Sequence, residues 1–282
     1  MESVLNTIQR RHSVRNYTEK ALDKNVIQYI KDFLNENKKG PFGNEVRFDF
    51  VDGTYYDQAE LKVLGTYSMI KGARVYIAGV VKNGEMAMED FGYCMEKNIL
   101  MLTGLGIATC WIGGSLNRSV FASKMNAAAD ELLPGITPIG YAAGKKTFTE
   151  SMIAVTSAVS GNKSRRKKPE ELFFDKSLDA PLSLKTCGQY AEVLEAVRVA
   201  PSAINGQPWR IVKDEGETYH LFLKEKDTRF NHYGDIKFQR MDMGIAMCHF
   251  ELAANELGLK GVWKIERPII EAGELKYIVS WT

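Results

Sequence analysis

One helix-to-strand plan occurs twice in this chain of 282 residues. Residues 90–111 read DFGYCMEKNILMLTGLGIATCW, and residues 242–263 read DMGIAMCHFELAANELGLKGVW. Asp, Gly, Leu, Gly and Trp fall in register at a constant offset of 152. Five identities on a shared apolar rhythm mark an internal duplication. In the second copy Met243, Met247, Phe250, Ala254 and Leu257 recur at helical spacing. Each copy ends in Leu-Gly followed by an apolar residue, which predicts a helix closed by a C-terminal glycine and entering a strand. The first copy continues as IATCWIGG, which predicts a short buried strand with glycines at its end.

A fainter correspondence accompanies the first. Helix-like NVIQYIKDFLNEN leads to GPFGNEVRFDFVDG, and helix-like YAEVLEAVRVA leads to PSAINGQPWRIVKDEG. Asn44 aligns with Asn205 and Phe48 with Trp209, whereas Val46 and Arg47 stand where the second copy has Gln207 and Pro208. One copy kept polar groups at the turn and the other lost most of them. Both then run into alternating strands. The stretch SGNKSRRKKPEELFFDKSLDAPLS is polar, basic and interrupted by prolines, so it predicts a surface connection. The expected organisation is a first half over 1–160, a basic connection over 161–185 and a second half over 186–282. A chain that duplicates one plan most simply packs its halves face to face, as a two-fold dimer would.

Composition narrows the function classes. Lys plus Arg number 37 against 35 Asp plus Glu, which argues against a nucleic-acid binder driven by a global basic field. No apolar run is long enough to span a bilayer, and the N-terminus lacks the apolar core of a signal peptide. Cys94, Cys110, Cys187 and Cys248 have no metal-ligand spacing, so reduced, buried thiols in a cytoplasmic protein are expected. GxGxxG, the P-loop pattern, HExxH and GxSxG are all missing. His249, on the repeated helix, is expected to be a satisfied polar group rather than a metal ligand. An enzyme of this kind would take its difficult chemistry from an organic cofactor.

Three segments are candidates for binding. RRHSVRNY (10–17) follows a short helical stretch and offers paired Arg donors suited to phosphate; it is equally a solvated helix end. SRRKKPEEL (164–172) is a basic run that reads by itself as a solvated connection; the alternative, a nucleic-acid patch, lacks interleaved aromatics. APSAINGQPW (200–209) places Ser202, Asn205 and Gln207 on a loop stiffened by Pro201 and Pro208, with Gly206 free to take an unusual backbone conformation. Such a loop suits the edge of a flat heteroaromatic ligand, or it is simply a helix-to-strand turn.

Taken together, these motifs resemble the nitroreductase family of FMN-dependent oxidoreductases. RRHSVRNY looks like its R-R-S-x-R-x-[FY] signature, and APSAINGQPWRIV like its A-P-S-x-x-N-x-Q-P-W signature. GLGIATCWIGG, ITPIGYAAGKK and NKSRRKKPEEL are similar to three further family segments. Ordinary members carry the first two signatures in their first third and work as homodimers. Here the good A-P-S motif stands in the second half, so the chain resembles a fused, pseudo-dimeric branch. The resemblance implies an α+β fold, a nitroreductase-like three-layer α/β/α sandwich of two pseudo-symmetric halves with mostly antiparallel sheets flanked by helices. It also implies a single surviving site with one FMN per chain, and a monomeric pseudo-dimer that binds neither nucleic acid nor membrane.

Carried over residue by residue, the resemblance assigns the FMN phosphate to Arg11 and Ser13, with His12 contributing backbone. Arg15 is placed at the pyrimidine edge, and Arg165 and Lys167 close over the phosphate. Pro201, Ser202, Ala203 and Asn205 line the site, with Gln207 bracing their loop. Ile112, Gly113 and Gly114 face the ring near N5. Thr66, Tyr67 and Ser68 occupy a region of polar ring contacts. The implied activity is NAD(P)H oxidation with electrons passed to a nitroaromatic, a quinone or a related small-molecule acceptor. A flavin carrier, a sensor or a non-catalytic relative is the alternative.

Overall fold

The computed structural model describes residues 2–54, 69–144, 166–226, 232–266 and 268–282. Thr66, Tyr67, Ser68 and Arg165 lie outside the described residues. The chain divides into two compact units, Arg10–Arg165 and Met1–Gln9 together with Arg166–Thr282. Helix α1 (Val4–Arg10) ends where the first of these begins.

The Arg10–Arg165 unit carries α2 (Lys24–Glu36), β1 (Val46–Asp52), β2 (Val75–Lys82), α3 (Ala87–Gly104), β3 (Ala108–Thr109), α4 (Arg118–Lys124) and β4 (Glu131–Gly140). Its strands form an antiparallel sheet in the order β1-β2-β4-β3. The central strands β2 and β4 are buried along nearly their whole length, which suits their unbroken runs of apolar and small residues. Helix α2 buries Ile30 and Leu34 one turn apart and leaves its polar face to water. Helix α3 is buried nearly all round, with the polar Glu89, Asp90, Glu96 and Asn98 among its buried residues. The two are tied by Asn37, whose Nδ2 donates to the Cys94 carbonyl and to Asn98 Oδ1, each at 2.7 Å.

The other unit carries β5 (Phe173–Asp175), α5 (Tyr190–Arg198), β6 (Trp209–Lys213), β7 (Tyr219–Leu223), the β8–β9 hairpin (His232–Tyr233 and Ile236–Lys237), α6 (Phe238–Glu256), β10 (Trp263–Lys264) and β11 (Lys276–Trp281). Its sheet runs β10-β11-β7-β6-β5, antiparallel except for the β5–β6 pair. The stretch read as a surface connection thus contains a strand, because Leu172 and Phe173 are fully buried. Phe250 of α6 packs edge-on against Trp263 at 5.5 Å and sits 5.4 Å from Trp281. Tyr190 and Tyr219 add a further pair at 4.7 Å. Mixed helices and separate, largely antiparallel sheets make this an α+β fold, as expected. Among the described residues no helix is long and apolar enough to cross a membrane.

Both repeats end as their glycines predict. Gly106 and Gly258 adopt φ of +74° and +73°. The Gly106 and Ile107 N–H groups donate to the carbonyls of Thr103 and Leu102, and those of Gly258 and Leu259 to Asn255 and Ala254. These are matching Schellman closures. The strand expected in IATCWIGG is shorter, with regular pairing confined to Ala108–Thr109. The Cys110 N–H turns instead to Thr137 Oγ1 at 3.1 Å, which interrupts the ladder.

Candidate functional site

In the Arg10–Arg165 unit the RRHSVRNY segment leaves α1 and runs as an extended chain into the core. Val14 and Tyr17 are buried in the same apolar cluster as Tyr76, Ile112 and Ile136. Ser13 and Arg15 remain partly exposed, as alternation along an extended chain requires. Ser13 pairs with Thr109, and the Val14 N–H donates to the Thr109 carbonyl at 2.9 Å. Further on, the Lys71 N–H donates to the Arg15 carbonyl and the Tyr17 N–H to the Lys71 carbonyl, each at 2.8 Å. The segment is therefore clamped between the end of β3 and residues 70–72. Lys71, which the motif comparison did not single out, is exposed beside Arg15.

Arg11 departs from the solvated-helix-end reading. Its side chain is 7% exposed, and Nε lies 3.9 Å from Oε1 of the fully buried Glu96. The same carboxylate accepts the Trp111 indole N–H at 2.6 Å. Glu96 thus joins the arginine segment to the segment around Trp111. The other unit repeats half of this device, with Trp263 Nε1 donating to Glu251 at 2.7 Å. His12 is exposed, and its Nδ1 lies 3.0 Å from the Arg10 carbonyl. Ile112 is fixed by reciprocal backbone bonds with Ile136 at 3.0 and 2.9 Å, and the Arg118 guanidinium donates to the Gly113 carbonyl. Beside Gly114, a Cβ would meet no atom within 4 Å. Arg11, Ser13 and the 112–114 segment are thus drawn together through Thr109, Trp111 and Glu96.

In the other unit, APSAINGQPW forms a tight turn after α5. Gly206 does not supply the unusual backbone expected of it: its φ is −65°. Ile204, Asn205 and Gln207 take left-handed φ of +46°, +55° and +46° instead. Each such residue costs roughly 1 kcal/mol or more, so surrounding bonds must hold them. The Ala203 N–H donates to Asp242 Oδ1 and the Gln207 N–H to Ser202 Oγ, each at 2.9 Å. Gln207, 1% exposed, donates Nε2 to the Asn205 carbonyl at 3.0 Å and accepts the Lys167 N–H at 2.8 Å. Arg166, which the motif comparison passed over for Arg165, donates to the Ala200 carbonyl and to Asn205 Oδ1. Pro201 and Ser202 stay partly exposed.

The basic run is accordingly built into the turn from Arg166 onward, contrary to a purely solvated connection. Lys167 Nζ donates to the Gln207 carbonyl at 3.1 Å. Burial, with Arg210 and Lys226 as like charges nearby, pushes its pKa down to about 8. Arg210 is itself buried and donates to the carbonyls of Gln207 and Trp209 at 3.2 and 2.6 Å. Gln207→Ala removes the side chain that serves Lys167 and Asn205 and exposes a strained turn. The variant is expected to lose about 2 kcal/mol in urea unfolding.

His249 and His220 take structural places. His249 is fully buried, with Nδ1 2.9 Å from the Ala196 carbonyl. His220 lies between Ser280 Oγ at 2.6 Å and Asp214 Oδ2 at 3.4 Å. That order resembles a nucleophile relay, but Ser280 is fully buried and also lies 2.7 Å from the Tyr277 hydroxyl, so it offers no substrate a route.

Known proteins place the chain. No curated protein matches it. Among solved structures it is similar to a Thermotoga maritima protein described as a nitroreductase in the same provisional terms as the family below. The two are 19% identical, with 99% of this chain and 93% of that one covered, at a TM-score of 0.60, which is a likeness of fold. A Desulfitobacterium hafniense nitroreductase with bound FMN is 20% identical over 52% of this chain and 92% of its own, at a TM-score of 0.42. A Clostridium difficile nitroreductase family protein is 16% identical over 55% of this chain and 92% of its own, at a TM-score of 0.41. The family model described as "Putative TM nitroreductase" matches residues 3–254, and the chain belongs to that family.

Proposed function

We propose that the chain is an FMN-dependent oxidoreductase that takes electrons from NAD(P)H and passes them to a nitroaromatic, a quinone or a related small acceptor. The observation that carries this reading is the clamped Arg11–Ser13–Arg15 segment, held against Thr109 and beside Lys71 within a nitroreductase family fold. Its donors fit a phosphorylated flavin. Arg11 and Ser13, with His12 through its backbone, bind the phosphate, and Lys167 adds charge on the basic run. Arg15 and Lys71 bring positive charge to the pyrimidine edge, where it favours negative charge that develops there. Pro201, Ser202, Ala203 and Asn205 present a wall whose turn is already fixed by its own bonds, so little ordering is left for binding to supply. Ile112, Gly113 and Gly114 would border the flavin ring, and the open space beside Gly114 would admit a second flat molecule.

When bound, FMN supplies the hydride and electron transfer. The chain's part is to bind, to orient and to set charge. The Arg11 side chain is buried with Nε 3.9 Å from Glu96, so its charge is held in place rather than free to swing. Expected of the purified protein is visible flavin absorption with one FMN per chain, and steady NAD(P)H oxidation on adding a nitroaromatic. Protein that stays colourless and binds no added FMN overturns the reading. Bound FMN without NAD(P)H turnover would make it a carrier.

A further inference from the structure

Asp242 is a buried acid that the proposed site leaves unused. It is 3% exposed. Its Oδ1 accepts the Ala203 N–H at 2.9 Å, and its Oδ2 has no hydrogen-bond partner among the described residues. The duplication supplies a built-in comparison, because Asp90 stands at the equivalent position of the first repeat. Asp90 Oδ1 accepts the N–H of Phe42, the counterpart of Ala203, also at 2.9 Å. Its Oδ2 accepts both the backbone N–H and Nδ2 of Asn44, at 2.8 and 2.9 Å. In the second copy those two donors have turned away. The Asn205 N–H donates to the Ser202 carbonyl at 3.0 Å, and the Asn205 side chain receives Arg166. The backbone differs at this residue: Asn205 is left-handed with φ of +55° whereas Asn44 is not, although Ile204 and its counterpart Gly43 are both left-handed. The copy that kept the ligand-binding letters therefore left its carboxyl half satisfied.

Among the described residues no cation pairs with this carboxyl. Helix α6 packs against α5, β6, β7 and the 203–205 turn. On α5, Arg198 pairs with Glu195 at 2.6 Å and Glu192 is exposed. On β6, Arg210 serves the carbonyls of Gln207 and Trp209, and Lys213 that of Gly216. On β7, His220 serves Ser280 and Asp214. Within α6, His249 meets the Ala196 carbonyl, Glu251 holds Trp263, Glu256 accepts the Val4 and Leu5 N–H groups, and Arg240 is partly exposed. A dry carboxyl with one donor and no partner cation is favoured as the neutral acid. Burial drives its pKa up to about 8 against the Ala203 bond, which lowers it.

We propose that Asp242 is a positioning residue of the 202–207 wall and acts as a proton-linked latch: the closed turn keeps the carboxyl dry and protonated, and opening the turn wets it and releases the proton. The consequence for ligand affinity rests on the oxidoreductase reading, whereas the latch does not. The closed carboxyl holds its proton to about pH 8, an exposed one only to about pH 4. Between those values the closed state binds the extra proton. The stability it contributes is complete below about pH 4 and is lost as pH rises through about 8. Opening therefore becomes about tenfold easier per pH unit across that window and levels off above it.

Amide hydrogen-exchange protection factors at Ala203–Gln207 test this. In the wild-type chain they are expected to fall about tenfold per unit from about pH 5 to about pH 7.5 and then flatten. Asp242→Asn keeps an acceptor for Ala203 but cannot ionise, so its protection stays level. Asp90→Asn keeps the wild-type slope at these amides. A level wild-type profile, an Asp242→Asn profile with the wild-type slope, or loss of the slope in Asp90→Asn overturns the latch. In FMN titrations near pH 7, Asp242→Ala weakens binding about tenfold and Asp242→Asn less than about threefold. Equal affinity in wild type and Asp242→Ala overturns the positioning role. Should Asp242→Ala not fold, the Asp242→Asn exchange profile alone decides the latch. A wild-type chain that binds no FMN refutes the oxidoreductase reading while the exchange profiles still decide the latch.

Discussion

Arg11→Ala is expected to destabilise the Arg10–Arg165 unit by about 3 kcal/mol and to abolish FMN retention. The two losses have different origins. Removing the guanidinium takes a cation away from the fully buried Glu96 carboxylate, which still accepts the Trp111 indole N–H. A buried charge that loses part of its compensation costs more than the ion pair contributes. The same change removes a proposed phosphate ligand. Adding Glu96→Gln separates the effects, because the amide still accepts from Trp111 and carries no charge to strand. The double variant should recover most of the urea midpoint while FMN, followed by equilibrium dialysis, remains unbound. A double variant that regains FMN at wild-type affinity would show that Arg11 serves the fold alone.

Gly72→Ala is expected to cost a similar amount, about 3 kcal/mol, through the backbone rather than through charge. Gly72 has φ of +79°, and a Cβ there would stand 2.2 Å from the Tyr17 carbonyl oxygen. Neither atom is the end of a flexible side chain, so the strand must separate. That contact lies at the junction where Lys71 bonds to Arg15 and Tyr17. The variant should therefore unfold at lower urea and bind FMN more weakly, the second effect arising from displaced Arg15. Gly114→Ala is the control: it meets open space and should leave the urea midpoint unchanged.

Much of the fold was legible because its signals are local. The apolar spacing of α3 and α6 and the paired Leu-Gly closures need only neighbouring residues to be read. The duplication was legible for the same reason, as a repeated local pattern. The wall segment was legible as letters but not as geometry. Gly206 was the natural candidate for an unusual conformation, yet Ile204, Asn205 and Gln207 hold the left-handed backbone. Asn205 is of a type that tolerates this backbone, but nothing in the Ile204 or Gln207 side chain announces it, because the bonds that hold the turn come from Asp242, Arg166 and Lys167.

Read alone, the chain of letters was enough for the repeat, the helix ends, the α+β class and the arginine and A-P-S segments, all features carried by short-range pattern and residue type. Only the folded chain decided that Arg11 is spent partly on Glu96, that Lys71 stands beside Arg15, that the basic run is bonded to the turn at 200–207 and that Asp242 sits dry beneath it. Each of those is a pairing between residues far apart in sequence. Burial then set its strength, because a charge or a donor acquires its energy from what surrounds it rather than from what precedes it in the chain.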